Sequence, residues 1–317
     1  MSGKNGIWLI IGLLFIGLGI LLWLRPGLDP LASGELETLA VFDAAEVADI
    51  RVETGSVEVR VYDNWDEQVE VDVSGLSADR IEITADNGLL TVRQREKRSL
   101  LSFFQKDGYV IVWVPASFAG DLSVNTTSGE ISLSGLINPD AAAAISSSSG
   151  AAYAYDSGFA SLSVCTVSGE VYAGDLEIGG KLEMNTSSGG VSLNGGRCGD
   201  VYVIATSGRV SLSDVRGNTV LSSTSSGSQY LDDVRASILG LVTGSGSVDL
   251  RRTDAREITI ETGSGSVYAE LEGSAADYAA DISTGSGNVS GIAPHTDGER
   301  PLRITTGSGS VDVSFEG

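Results

Sequence analysis

From about residue 36 onward, apolar and polar residues alternate along the chain, and the dipeptide Ser-Gly interrupts the alternation ten times at spacings of 19 to 22 residues. Counted from each Gly, positions −7, −5, +2 and +4 are apolar in most copies, as in Leu182, Met184, Val191 and Leu193. A period of two on both sides of a tight turn is typical of half-buried β-strands. The ten turn glycines are Gly129, Gly150, Gly169, Gly189, Gly208, Gly227, Gly246, Gly265, Gly287 and Gly309.

One copy of this repeat is too small to bury its own apolar face, whereas stacked copies bury it continuously. The pattern therefore predicts an all-β chain that folds as a β-solenoid of about ten coils, each of 19–22 residues. At about 4.8 Å per coil the rod would be roughly 45–50 Å long. Position −3 is Thr in eight of the ten copies. We expect this column to form a ladder of hydroxyls and methyls from coil to coil.

Residues 36–122 follow the same pattern less regularly. Strands are predicted over Ile50–Tyr62, Val69–Val73, Ile81–Val92 and Tyr109–Pro115. We interpret this region as irregular first coils that cap the rod, with the regular repeats occupying residues 123–317. Residues 25–35 would form a tether, and residues 1–24 a cytoplasmic tip and membrane anchor.

The anchor prediction rests on the 18 uncharged residues Ile7–Leu24. A helix of that length spans about 27 Å, close to the thickness of the hydrocarbon core. Lys4 before the segment, with the acidic residues after it, favours a cytoplasmic N-terminus and an extracytoplasmic solenoid on the cell membrane. A cleaved signal peptide is the alternative, although no small-residue cleavage site follows the segment. The opposite orientation also stays open.

Composition narrows the classes of function. A formal charge of −22 argues against nucleic-acid binding, which needs a basic surface. With one His in the chain, no His-based catalytic triad, cofactor site or multi-histidine metal site is predicted. A carbohydrate-active enzyme would need converging carboxylates, and the recurring Asp249, Glu270 and Asp312 are equally explained as solvated surface. The two cysteines, Cys165 and Cys198, could form a disulfide or remain buried thiols.

Two groups of residues are candidates for contacts with partners. Position +3 points outward and carries four tyrosines, which could contact a glycan or a protein or could cover neighbouring strands. They are Tyr153, Tyr172, Tyr230 and Tyr268.

The second group lies between residues 93 and 106, where the net charge is +4 while the rest of the chain carries −26. Basic residues beside an apolar cluster are typical of contact with a membrane surface. A loop that caps the end of the rod is the alternative. The residues concerned are Lys97, Arg98, Leu100, Leu101, Phe103, Phe104 and Lys106.

The segments VFDAAEVADIRVETGSVEVRV, YVIVWVPAS, NTTSGEISLSG and ETGSGSVYAEL make the chain resemble the large bacterial putative-adhesin family of β-strand repeats. That family is named for a domain of unknown function. The resemblance covers roughly residues 40–317 and implies a β-solenoid at the cell surface, with no catalytic motif. We expect a membrane-anchored, non-enzymatic adhesion or interaction protein whose partners are the membrane and a cell-wall glycan or an envelope protein. A sensory or regulatory module for envelope stress is the alternative.

Overall fold

The structure is a computed structural model that describes residues 36–95 and 108–316. In this part of the chain, helical conformation is limited to the 3-10 turns Ala44–Glu46, Ala78–Arg80 and Ala275–Asp277. The 23 strands belong to one sheet. They are β1 Leu36–Asp43, β2 Asp49–Thr54, β3 Glu58–Asn64, β4 Gln68–Ser74, β5 Ile81–Asp86, β6 Leu89–Gln94, β7 Tyr109–Pro115, β8 Leu122–Thr126, β9 Ile131–Ser134, β10 Ile137–Ser147, β11 Ala152–Tyr155, β12 Gly158–Thr166, β13 Val171–Thr186, β14 Val191–Ala205, β15 Val210–Arg216, β16 Thr219–Thr224, β17 Gln229–Thr243, β18 Val248–Thr262, β19 Val267–Glu272, β20 Tyr278–Thr284, β21 Val289–Ser290, β22 Arg300–Thr306 and β23 Val311–Glu316.

Equivalent strands of successive coils pair in parallel and in register. Leu182 pairs with Val201, which pairs with Val220, and the same column continues through Leu239 to Ile258. All five side chains are at most 1% exposed, because each inward position faces the interior of the coil. The predicted β-solenoid of about ten coils is confirmed, and its core is a continuous stack of Val, Leu and Ile.

The Ser-Gly corners lie one above another. A β-carbon placed on Gly208 would lie 1.6 Å from the carbonyl oxygen of Gly189, and one on Gly227 would lie 1.7 Å from that of Gly208. Real β-carbons do not approach a carbonyl this closely, so only Gly fits here without moving the backbone. The repetition of Gly at this index therefore follows from the stacking distance.

The hydroxyl at position −3 joins neighbouring corners through the backbone. Thr186 Oγ1 donates to the Gly169 carbonyl at 3.0 Å and accepts the amide of Gly189 at 3.1 Å. Ser147 makes the same two bonds with the Gly129 carbonyl and the Gly150 amide. The expected column is present, since Thr224, Thr243 and Thr262 pair in register from coil to coil. Most of its hydroxyls bond to the backbone, and Thr224 Oγ1 also donates to Thr243 Oγ1 at 2.9 Å.

A second corner lies at position +6, where the backbone is left-handed. Its φ values are 49° to 51° at four aspartates, and they are also positive at Gly135, Gly195 and Arg252. Asp and Gly are among the residue types that tolerate this conformation. The four aspartates are Asp156, Asp175, Asp214 and Asp233.

Order in space differs from order in sequence at both ends of the described solenoid. Strand β22 pairs with β18 on one side and β20 on the other, so the last coil of the chain inserts before the preceding one. At the other end, β2 lies between β6 and β8, and β3 between β7 and β9. The antiparallel strands β4 and β5 cover this end.

The residues of the predicted anchor and tether lie outside the described part of the chain. Within residues 36–95 and 108–316, no helix has the length and apolar character needed to cross a bilayer.

Candidate ligand-binding face

The four tyrosines at position +3 lie in one column on the outward face of the solenoid. Tyr153 pairs with Tyr172, and Tyr230 is linked through Asp249 to Tyr268. Ser192 and Ser211 occupy the column between these two groups. The arrangement follows from the strict parallel register, because any one index of the repeat is carried along a single line of the sheet.

Only the first two of the four tyrosines stack on each other. The ring centroids of Tyr153 and Tyr172 are 5.3 Å apart and their planes differ by 6°. Tyr155 is on the same face, 6.3 Å from Tyr153 with an interplanar angle of 27°. All three side chains are half-buried. We call Tyr153, Tyr155 and Tyr172 the tyrosine platform; it is a group of nearly parallel, stacked aromatic rings held by the strands β11 and β13.

Two carboxylates border the platform. Glu170 accepts a hydrogen bond from the Tyr172 hydroxyl, and this bond raises the pKa of Tyr172 to about 12. Partial burial, followed by the charge of Glu58, raises the pKa of Glu130 above its usual range. Burial, followed by Glu130, also raises the pKa of Tyr153. The platform thus combines an apolar surface with carboxylate and hydroxyl groups that can accept hydrogen bonds.

Further aromatic residues lie on the same face toward the β7 end. The ring centroids of Tyr62 and Trp113 are 5.6 Å apart, and the Arg60 guanidinium lies 4.4 Å from the centre of the Tyr109 ring. Trp113 Nε1 donates to the buried carboxylate of Asp72 at 2.7 Å. Burial raises the pKa of Asp72. Trp113 and Tyr109 are buried under neighbouring residues, so Tyr62 is the part of this group that extends the exposed face.

Tyr230 and Tyr268 occupy different surroundings. The Arg251 guanidinium lies 5.4 Å from the centre of the Tyr230 ring and also contacts Asp249 at 3.2 Å. Tyr268 is 39% exposed and stands between Asp249 and Asp312 in the column. The column therefore separates into one aromatic platform and two single tyrosines among charged groups.

Tyr155 and Tyr62 also belong to this face, although neither was predicted from the sequence. Tyr155 is two residues after Tyr153, so the period of two was a sufficient signal to place it on the same side. Tyr62 lies in a coil without a Ser-Gly index, and its register became visible only through the pairing of Tyr62 with Ser134.

The acidic residues considered for catalysis have structural or surface contacts. Asp249 pairs with Arg251, and Asp312 accepts a bond from Ser290 at 2.8 Å. Glu270 is hydrogen-bonded to Glu316, which raises the pKa of Glu270.

A cleft of about 330 Å³ is lined by two other carboxylates, Asp49 and Asp121, together with Arg51. Asp49 Oδ1 accepts a hydrogen bond from the backbone amide of Asp121 at 3.1 Å. Asp121 Oδ1 in turn accepts one from the backbone amide of Ala142 at 2.8 Å. These bonds tie successive coils together. In the described residues, no three His, Cys, Asp or Glu side chains are placed to hold a metal ion.

Two groups of candidates remain, the cysteines and the predicted membrane or cap residues. Cys165 and Cys198 are free thiols, and burial raises the pKa of Cys198 to about 12. The predicted membrane or cap residues Lys97, Arg98, Leu100, Leu101, Phe103, Phe104 and Lys106 lie outside the described part of the chain. Just before them, Arg93 pairs with Glu53 at 2.6 Å and Arg95 with Glu82 at 3.5 Å.

Comparison with known proteins gives one family match. The family model described as Toastrack DUF4097 matches residues 47–316. No curated protein matches the chain.

Solved structures give likenesses of fold. A "putative adhesin" from Parabacteroides merdae is 14% identical with a TM-score of 0.46, over 89% of this chain and 97% of that one. A "putative adhesin" from Bacteroides fragilis is 13% identical with a TM-score of 0.40, over 89% and 97%. A "putative lipid binding protein" from Parabacteroides distasonis is 15% identical with a TM-score of 0.38, over 90% and 98%. Likenesses at this level carry no argument about ligands.

Proposed function

Since the chain belongs to the Toastrack DUF4097 family, as its resemblance to β-strand repeat proteins predicted, we propose that it is a non-enzymatic adhesion protein of the cell surface. In this proposal the tyrosine platform binds a neutral cell-wall glycan. The observation that carries the proposal is the parallel stack of Tyr153 and Tyr172 on rigid paired strands.

Aromatic surfaces of this kind suit sugars because a pyranose ring has one apolar face and a rim of hydroxyls. An outer ring face of the stack would contact the apolar face of the sugar, while Glu130 and Glu170 would accept hydrogen bonds from its hydroxyls. The chain's charge of −22 repels anionic polymers, so the proposed ligand is an uncharged glycan. An envelope protein with an exposed apolar segment is the second partner class predicted for this face.

The proposal also includes the N-terminal anchor. The apolar run Ile7–Leu24 would hold the chain in the cell membrane, with the solenoid outside the cytoplasm. Binding through a repeated surface near a membrane would let many weak contacts act together.

The proposal is tested with the double variant Tyr153→Ala/Tyr172→Ala and an insoluble neutral cell-wall polysaccharide. Each stacking residue contributes about 0.5–1.5 kcal/mol beyond its buried area, so the pair should change the dissociation constant by about tenfold to a hundredfold. Binding is measured by depletion of the protein from solution, and thermal melting checks that the variant is folded.

The matched control is Tyr230→Ala, which removes the same side chain at the same index where Arg251 covers the ring. The control should bind like the wild type. Equal binding by the double variant and the wild type would count against the platform. If the double variant lost binding to an envelope protein but not to the polysaccharide, the result would favour an envelope protein as the partner of the platform.

A further inference from the structure

The face formed by the first strand of each coil carries an exposed apolar patch at the middle of the solenoid. Its residues are at the outward positions −8, −6 and −4 of three successive coils. Ile204 is 53% exposed, Val242 45%, Ile238 42% and Leu221 37%. With Tyr202, these residues are called the apolar patch. Five apolar side chains at outward positions are unexpected in a chain of −22 charge, because water contacts this side of the sheet.

Charged coils border the patch on both sides. On the side of β13, Lys181 and Glu183 occupy positions −8 and −6. On the side of β18, Glu257 and Glu261 occupy positions −8 and −4. The border therefore carries a cation at one end of the −8 column and an anion at the other.

We propose that the apolar patch binds the same patch of a second copy of this chain. The two solenoids would lie antiparallel and face to face, related by a two-fold axis that runs along β16, the central strand of the patch. Rotation about this axis keeps the position along a strand and reverses the order of the coils. Each residue of β13 then faces β18 of the second copy, and each residue of β14 faces β17.

This arrangement makes the two faces complementary. Lys181 faces Glu257 of the second copy, and this contact occurs twice by symmetry. Tyr202 faces Gly240, which has no side chain, and Ile204 faces Val242. Leu221 lies on the axis and meets its own equivalent; in the single chain it leans over Gly240, where an added β-carbon would be 2.6 Å from Leu221 Cδ2.

The other face-to-face orientation is disfavoured by charge. A two-fold axis along the rod would keep each coil opposite itself and reverse the positions along the strand. Glu257 would then face Glu261 of the second copy, whereas in the proposed orientation Glu257 faces Lys181. Asp200 faces an apolar side chain in both orientations, Ile204 in this one and Ile238 in the proposed one, so it does not separate them. Like charges opposite each other oppose association, so the Glu257–Glu261 contact disfavours this orientation.

The size of the face predicts a weak complex. Five coils at about 4.8 Å by six residues at about 3.3 Å give a surface of roughly 24 Å by 20 Å per copy. The total buried would be about 900–1,000 Å², below the usual 1,200–2,000 Å² of stable complexes. We therefore expect reversible dimers that form at high protein concentration.

The first experiment tests proximity at the two-fold axis in the full chain, solubilised in detergent. Leu221→Cys is made in a Cys165→Ser background, since Cys198 is buried. Facing sheets lie about 10 Å apart, too far for a disulfide, so a short bismaleimide is used. Leu221→Cys should be cross-linked to a dimer, whereas Ile137→Cys, 58% exposed elsewhere on the coil, should not.

The second experiment reverses the charges that set the orientation. Lys181→Glu and Glu257→Lys should each weaken dimerisation at least tenfold in sedimentation equilibrium. The double variant, and an equimolar mixture of the two single variants, should recover association to within threefold of the wild type. Recovery in the mixture cannot come from repair of folding within one chain, because each chain still carries its own substitution.

The proposal is overturned if Leu221→Cys and Ile137→Cys cross-link equally, or if the mixture remains as weak as its components. It is also overturned if Leu221→Asp sediments like the wild type, which would leave the patch to a different partner. None of these readouts depends on glycan binding, so failure here does not bear on the tyrosine platform.

Discussion

At the scale of single residues, the repeat is set by how closely successive corners approach. Gly is required where a carbonyl of the neighbouring coil occupies the place of a β-carbon, as at Gly189 and Gly208. The hydroxyl three residues earlier has a separate role, because it satisfies the corner amide of its own coil and a carbonyl of the neighbouring coil. Ser147 performs this role as well as Thr, which explains why the column tolerates Ser.

The first prediction concerns this hydroxyl. Thr243→Val keeps the shape of the side chain but removes the acceptor of the Gly246 amide and the donor to the Gly227 carbonyl, both at 3.0 Å. A buried polar group left without a partner costs about 1–3 kcal/mol. We expect a lower melting temperature and faster hydrogen exchange at Gly246. Thr259→Val, on the outward side of β18, should change stability by less than about 0.5 kcal/mol.

At the scale of elements, the important feature is the insertion of β22 between β18 and β20. The Arg300 side chain holds this strand in place: its Nε and Nη2 donate to the Ala255 carbonyl at 3.0 and 2.6 Å. Its guanidinium also pairs with Asp254 and lies 4.6 Å from the centre of the Tyr278 ring. One side chain thus connects the inserted coil to the coil before it and to the coil that closes this end.

Arg300→Ala should therefore loosen the end of the solenoid. Hydrogen bonds from charged groups contribute about 1.5–3 kcal/mol each, and stability in stacked repeats is mostly a nearest-neighbour property. We expect hydrogen exchange to increase in β20 and β22, while the strands of the central coils keep their protection. The control is Arg303→Ala, on the same strand β22 as Arg300. It removes an exposed ion pair with Asp281 of β20 at 3.5 Å and should have little effect. Uniform loss of protection along the whole rod would contradict this account.

At the scale of the whole molecule, the two proposed contacts use different faces. The tyrosine platform lies on the second strand of the coil and the apolar patch on the first, so glycan binding and self-association do not compete. The antiparallel pair would place the β7 ends of two solenoids far apart.

Net charge should control the strength of this pairing. Each chain carries −22, whereas the pairing adds two Lys181–Glu257 contacts between exposed groups, and exposed ion pairs contribute little. Long-range repulsion therefore dominates at low salt, where the Debye length is about 30 Å at 0.01 M and about 10 Å at 0.1 M. Dimerisation should strengthen several-fold between these two salt concentrations in sedimentation experiments. Weakening with added salt would mean that the local ion pairs dominate.

The sequence by itself determined the features that depend on local, repeated interactions. Alternation with a period of two and the indexed Ser-Gly corner specified strands, turns, the number of coils and the family, because identical neighbours impose the same requirement in every copy. The column of Tyr153, Tyr172, Tyr230 and Tyr268 also follows from this index. The corner at position +6 was readable in principle, since Asp and Gly recur there, but four aspartates in an acidic chain resemble solvated surface.

Only the tertiary structure decided which coils are neighbours at the ends and what each outward residue faces. The inserted strand β22 has the same alternation as any other, so nothing in its sequence encodes its place beside β18. Tyr62 and the apolar patch depend on register between segments that are far apart in the chain or belong to different coils. Surface chemistry arises from side chains brought together by pairing, whereas the fold arises from a pattern that each repeat already contains.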